Sequence, residues 1–208
     1  MLTVSEPKAP ARADATRAMR SIERAFLLGV PGATEILLIR HADAYDGLDG
    51  SVEGDPGLSS SGREQARRLG ERLRRLGVDA VYASPLRRAR ETAEAIGLPL
   101  TLDERLVEVA ADTSGGVVEL QEGPAETIRR MRAAVADAVA RHPGGRVAIV
   151  GHGVAILHYL CDVLRIEPGT LRVLPYYTSL NVVRIKNDRR MVGSIADVAH
   201  LEGLAWLP

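Results

Sequence analysis

The chain has 208 residues, enough for one domain with a substantial core, and its 27 basic and 27 acidic residues give a formal charge of zero. With 46% hydrophobic and 26% charged residues it reads as an ordinary globular protein rather than a disordered one. Zero net charge and 3% aromatics exclude a general nucleic-acid binder, which needs a basic excess and stacking rings. Lys8 and Lys186 are the only lysines, so every other cation is arginine. Codon usage accounts for most of that bias; guanidinium forks gain meaning only at particular positions.

A lone Cys161 leaves no intramolecular disulfide and no cysteine-rich metal site, and its setting, GVAILHYLCDVL, is that of a small buried hydrophobe. No run is apolar for long enough to span a bilayer, and the N-terminus lacks the pattern of a signal peptide. The expectation is a cytoplasmic protein without a membrane partner.

In chain order, residues 1–33 read as an N-terminal arm and 34–208 as the main domain. Within the arm, Arg12 to Leu28 has a helical pattern, with Met19, Ile22, Phe26 and Leu27 near one face, until Gly29, Pro31 and Gly32 break it. That face has two open destinations, its own domain or a second subunit in a homodimer. A membrane surface fits less well, because Asp14 and Glu23 dilute the positive charge.

Thr34 to Ile39 is a short apolar run, read as a buried strand, and Ala42 to Ser61 is a Gly-, Asp- and Ser-rich loop. Ser61-Gly62-Arg63-Glu64 fits a capping box for a helix ending at Leu76 before Gly77. Asp79 to Ala83 is a second strand, and Ser84-Pro85 opens a second helix. Leu100 to about Val109 is extended, then irregular. Pro124 to Arg141 is an amphipathic helix, Arg146 to Val150 a third strand, and Gly151-His152-Gly153 turns into an apolar helix. Ser179 to Ile185 and Met191 to Val198 close the chain as two strands about an Asn187-Asp188 turn. Alternating strands and helices imply an α/β fold, a three-layer sandwich with a mostly parallel central sheet.

Ligands in such sheets bind at the carboxyl ends of strands. Three strand ends carry unusual groups: Arg40-His41, then Ser84 leading into Leu86-Arg87-Arg88-Ala89, then Gly151-His152-Gly153. Arginines offer bidentate donors to phosphate oxygens, and a neutral imidazole is a competent nucleophile toward phosphorus. A metal site built on His41 and His152 is the rival reading, disfavoured because Arg40 and Arg88 would repel a divalent cation.

At these residues the sequence resembles the histidine phosphatase superfamily, which contains the cofactor-dependent phosphoglycerate mutases. LIRHA (Leu38 to Ala42), DPGLSSSGREQA (Asp55 to Ala66), YASPLRRARETA (Tyr82 to Ala93), LDERLVEV (Leu102 to Val109), VGHG (Val150 to Gly153), and TSLNVVRI with ADVAHL follow one another in the family's order. The resemblance covers about Thr34 to Leu201. It implies a phosphoglycerate mutase-like fold in which His41 is the phosphorylated nucleophile, and Arg40, Arg88 and His152 complete the phosphate pocket. Arg88, not Arg87, directly precedes the alanine of the motif, which leaves Arg87 as a solvated helix residue. Glu108, aligned with the family's Leu-x-Glu, is implied as the general acid, with Glu104 as competitor. His158 and His200 are read as structural, and His142 as a solvated helix end. No metal or other cofactor is called for.

Two departures bear on the reaction. Ala42 stands where glycine is commoner, and VAADTSGGVVELQEG replaces a Gly-Trp-Glu-Gly-like segment after Glu108. Ala42 to Ser61 holds Asp43, Asp46, Asp49, Glu53 and Asp55; Val109 to Ile128 holds Asp112, Glu119, Glu122 and Glu126; neither contains Lys or Arg. Such a rim disfavours polyanions. The implied activity is therefore that of a histidine acid-type phosphatase, a metal-independent phosphomonoester hydrolase acting on a small phosphorylated substrate. Phosphoglycerate mutase, protein-phosphohistidine phosphatase (with a phosphoprotein as substrate) and a non-catalytic phosphoprotein-binding module are the alternatives.

Overall fold

A computed structural model describes residues 12–44, 55–112 and 119–204. Its elements are α1 (Arg12–Ala25), β1 (Thr34–Arg40), α2 (Ser60–Leu76), β2 (Ala80–Ala83), α3 (Arg87–Glu94), β3 (Leu100–Leu102), β4 (Ala111–Asp112), β5 (Glu119–Leu120), α4 (Pro124–Arg141), β6 (Arg146–Gly151), α5 (Gly153–Leu164), β7 (Leu180–Lys186) and β8 (Arg189–Asp197). Six strands form one sheet in the order β3-β2-β6-β1-β7-β8. Neighbours β3 to β1 pair in parallel, whereas β7 runs antiparallel to both β1 and β8. This is the expected three-layer α/β sandwich.

The strands alternate between two cores. From β1, Ile36 and Leu38 meet Met131, Ala134 and Ala138 of α4 and Ile156, Tyr159 and Leu160 of α5. Leu37 and Ile39 point the other way, into a cluster with Leu69 and Leu73 of α2 and Ala89 and Ala93 of α3. A strand buried on both faces needs an unbroken apolar run, which ILLI supplies. No helix among the described residues is long and apolar enough to cross a membrane.

Several local expectations are corrected. Helix α2 opens at Ser60, not Ser61, because the Ser59 side chain takes the Gly62 N–H at 2.8 Å and makes Ser59 the cap. Buried Asp43 selects that serine: its Oδ2 accepts from Ser59 Oγ at 2.6 Å, and its carbonyl accepts from the Ser59 N–H. Gly62 is needed there, since a Cβ would run into the Asp43 carbonyl oxygen. Glu64, freed from any capping box, pairs with Arg67 and Arg68 along the helix. Helix α3 begins at Arg87 with Leu86 as its cap residue, so Pro85 precedes the helix. The segment after β3 turns into a 3-10 helix, Glu104–Leu106, and the β4–β5 pair had no sequence signal.

In the arm, α1 ends at Ala25. Met19, Ile22 and Phe26 are exposed, while Leu27 is buried in the turn beyond the helix with φ of 59°. The turn is held by Arg189, which donates to the Ala25 carbonyl, and by Lys186, which donates to that of Pro31.

Candidate functional site

Parallel register brings the predicted strand ends together. Strand β6 lies between β1 and β2, with Arg40 opposite Gly151 and Ala83 opposite Val150. The pairing runs one step further: the His41 N–H donates to Gly151 O and the Ser84 N–H to Val150 O, each at 2.9 Å. His41, His152 and Ser84 are thereby set side by side, and all three are buried.

His41 and His152 have ring centroids 5.1 Å apart. His41 Nδ1 lies 2.7 Å from the carbonyl oxygen of Ala42, which can only accept, so the ring proton sits on Nδ1. Nε2 then carries the lone pair and accepts from Arg88 Nε at 3.3 Å. Burial pushes the His41 pKa down to about 3, against the pull of the Ala42 carbonyl, and the Arg88 and Arg40 cations lower it further. The ring is neutral at physiological pH. Alanine in place of the commoner glycine costs nothing here, because the backbone carbonyl does the work. Ala42 is itself held from α3: its N–H donates to Thr92 Oγ1 at 2.9 Å, and that hydroxyl donates to Arg88 O at 2.6 Å.

Arg40 leaves β1 with its guanidinium carbon 4.1 Å from the centroid of the Tyr177 ring, and Nη1 donates to Pro175 O at 3.0 Å. Its Nε is buried and has no hydrogen-bond partner among the described residues. Gly153 makes room for it, since a Cβ there would lie 3.4 Å from Arg40 Nε and 3.1 Å from Leu174 Cδ1. Tyr177 also approaches the His41 ring, at 5.8 Å between centroids.

His152 is the cap residue of α5 but gives that helix no side-chain hydrogen bond. Glu108 does so instead. Its carboxylate accepts from the Val154 and Ala155 N–H groups at 3.3 and 3.1 Å, and from the Val109 N–H at 2.9 Å. The acid candidate therefore stands at the helix end that His152 opens. Arg130 braces this segment from α4, donating to the carbonyls of Arg105 and Val107 while ion-pairing Glu122. Glu104 is exposed in the 3-10 turn.

Four of the nine rim carboxylates have partners among the described residues. Asp43 is turned inward, Glu122 pairs with Arg130, Glu126 with Arg129, and Asp55 lies 3.3 Å from Arg88 Nη1. Asp46, Asp49 and Glu53 lie outside the described residues. A linear reading of two acidic segments misses arginines that α3 and α4 bring to them. His142 does end α4, as its cap residue, but it is half-buried rather than solvated, with Nε2 3.1 Å from Tyr82 Oη. His200 contacts Thr178 Oγ1 and Arg72, His158 is buried on α5, and Arg87 pairs with Glu91 on the exposed side of α3. Thr92 and Tyr177 join the site although the sequence reading gave them no role there, while Ser84 was noted only as a strand end and Asp55 only as part of the rim. Ser84 and Thr92 stand inside the quoted motif and were findable; Tyr177 comes from a distant loop with no signal.

The family model described as Histidine phosphatase superfamily (branch 1) matches residues 36–119 and 111–198. A probable phosphoglycerate mutase, GpmB of Erwinia tasmaniensis, is 26% identical over 82% of this chain and 96% of its own. Phosphoserine phosphatase 1 of Hydrogenobacter thermophilus is 28% identical over 64% of this chain and 77% of its own. The solved structure of Bacillus stearothermophilus YhfR superposes with a TM-score of 0.69 and 27% identity, covering 81% of this chain and all of that one.

Proposed function

Because the chain belongs to the histidine phosphatase superfamily, we propose that it hydrolyses phosphomonoesters through a phosphohistidine on His41, without a metal ion. The observation that carries the reading is the state of His41: a neutral, buried imidazole with its proton on Nδ1 and its Nε2 lone pair beside Arg88.

Nε2 attacks phosphorus in line, the bond to the ester oxygen breaks, and Glu108 gives that oxygen a proton. Water then attacks the phosphohistidine, Glu108 takes the water proton, and inorganic phosphate leaves with His41 restored. Arg40, Arg88 and His152 hold the equatorial oxygens, the main lever in phosphoryl transfer. Arg88 exchanges its contacts with Asp55 and with the His41 Nε2 lone pair for the phosphoryl group, which frees that lone pair to attack.

Hydrolysis is favoured over mutase chemistry by the supply of cations. A mutase must also grip a carboxylate and a second phosphate. The cations acting on His41 are Arg88 and Arg40, and Arg130 near His152 is already committed to Glu122 and two carbonyls. The test is a panel of phosphomonoesters, with a phosphohistidine protein and 3-phosphoglycerate plus its bisphosphate primer, on wild type beside His41→Ala. Hydrolysis that survives chelators and disappears in the variant supports the reading. Efficient interconversion of 3- and 2-phosphoglycerate, or no turnover of any ester, overturns it.

A further inference from the structure

His152 carries a buried polar atom without a partner among the described residues. Its Nε2 lies 2.9 Å from Ser84 Oγ, while its buried Nδ1 has no hydrogen-bond partner among them. Buried polar groups are normally paired, so an orphan next to a reaction centre asks what it awaits. Ser84 Oγ also accepts from the Leu86 N–H at 3.3 Å. The oxygen keeps a second lone pair, but among the described residues the hydroxyl proton has no acceptor other than His152 Nε2.

We propose that Ser84 is a positioning residue: its hydroxyl donates to His152 Nε2, fixes the ring proton on Nδ1, and so makes His152 a neutral hydrogen-bond donor to the phosphoryl group. The inference rests on the phosphatase reading of the site and adds a residue to it. The opposite tautomer would donate from Nε2 to Ser84 and leave a buried lone pair on Nδ1. That lone pair would face phosphoryl oxygens, which are acceptors only, and repel them. A doubly protonated ring would also donate, but burial, and then competition with His41 for a proton and the Arg88, Arg130 and Arg40 cations, hold the His152 pKa well below its usual value. Donation from a neutral ring therefore requires the tautomer that Ser84 selects.

The geometry also explains why this position needs a hydroxyl. Ser84 ends β2 one residue past Ala83, is fully buried, and its backbone N–H is already used by Val150 O. Only its side chain is left to address the histidine on the neighbouring strand.

The experiment is nitrogen-15 NMR of the imidazoles in wild-type protein, Ser84→Ala and Ser84→Thr, with and without inorganic phosphate. Assays of kcat and KM on p-nitrophenyl phosphate run beside it. Wild type should show His152 protonated on Nδ1 alone, and the Nδ1–H resonance should shift when phosphate binds. Ser84→Ala should release that tautomer and lower kcat/KM about tenfold, the scale of one oriented hydrogen bond. Ser84→Thr, which keeps the hydroxyl, should retain the tautomer and most of the activity. A wild-type ring protonated on Nε2 overturns the proposal even if neither variant folds; so does a Ser84→Ala protein with unchanged tautomer and rate. Wild type that turns over no ester while showing the Nδ1–H ring defeats the phosphatase reading instead, and the two failures are distinguishable.

Discussion

The ends of β1 and β6 hold the same side chain in adjacent strands, and they present it in opposite ways. His41 ties down Nδ1 on its neighbour's carbonyl and shows Nε2 to Arg88; His152 ties down Nε2 on Ser84 and leaves Nδ1 without a partner among the described residues. Backbone register makes the two histidines neighbours, but the Ala42 carbonyl, held from α3 by Thr92, and the Ser84 hydroxyl, just past β2, decide which nitrogen each can use. Placement comes from the sheet, and chemical role comes from what the next elements aim at each ring.

The sharpest way to break that comparison is to remove each ring in turn. His41→Ala should abolish ester hydrolysis, a loss of at least about 10⁴-fold, because no other group can take the phosphoryl group. His152→Ala should lose about 10²–10³-fold and still form a phosphoenzyme, as expected for one electrostatic contact among several. Steady-state kinetics on one good ester read both, and equal losses would erase the distinction.

Next comes the proton. Glu108→Gln should lower kcat by about 10²–10⁴-fold on esters with poor leaving groups and much less on aryl phosphates, whose oxygen departs without help. Glu104→Gln should leave both unchanged. A uniform loss across leaving groups in Glu108→Gln would assign that carboxylate to capping α5 alone.

Smaller is the effect of loosening the carbonyl that orients His41. Thr92→Val keeps the shape but strands the Ala42 N–H, at a cost of about 1–3 kcal/mol in stability. Turnover should fall with KM little changed, and Thr92→Ser should restore it. Denaturant unfolding and kinetics on the three proteins check this; a normal rate in Thr92→Val would show that Ala42 needs no anchor.

Smallest is the signature in acid. His41 titrates at 6.5 when unfolded and at about 3 when folded, because of burial, so between those values the unfolded chain binds more protons. Stability is therefore lost as pH falls from about 6.5 toward 3. His200, lowered to about 4 by burial and by Arg72, adds to the same slope. Thermal unfolding across this range should show His41→Ala losing less stability than wild type. A steeper loss in the variant would mean that His41 is charged in the folded state.

The sheet was legible because its central strands are apolar on both faces and each is bounded by turn residues, which limits where they can start and stop. The β1, α4, β6 and β7–β8 assignments survive with shifts of a residue or two. The cap of α2 was misplaced because SSSG offers three serines, and the choice among them is made by Asp43, a residue sixteen positions before Ser59. His41, Arg40, Arg88 and His152 were findable because strand ends in parallel sheets converge. Pairing within the acidic rim was hidden for the opposite reason: charge runs are local in sequence, but Arg88 and Arg130 reach Asp55 and Glu122 from other helices. Tyr177 illustrates the limit most plainly, since no pattern in VLPYYTS announces a ring that packs on both Arg40 and His41.

The most direct measurement is rapid-quench trapping of wild-type enzyme with a phosphorus-32-labelled ester, followed by peptide mapping. The label should be acid-labile and base-stable, lie on the peptide carrying His41, form within the first turnover, and be absent from His41→Ala. Full turnover with no label at any time, or a label on any other residue, would contradict the account.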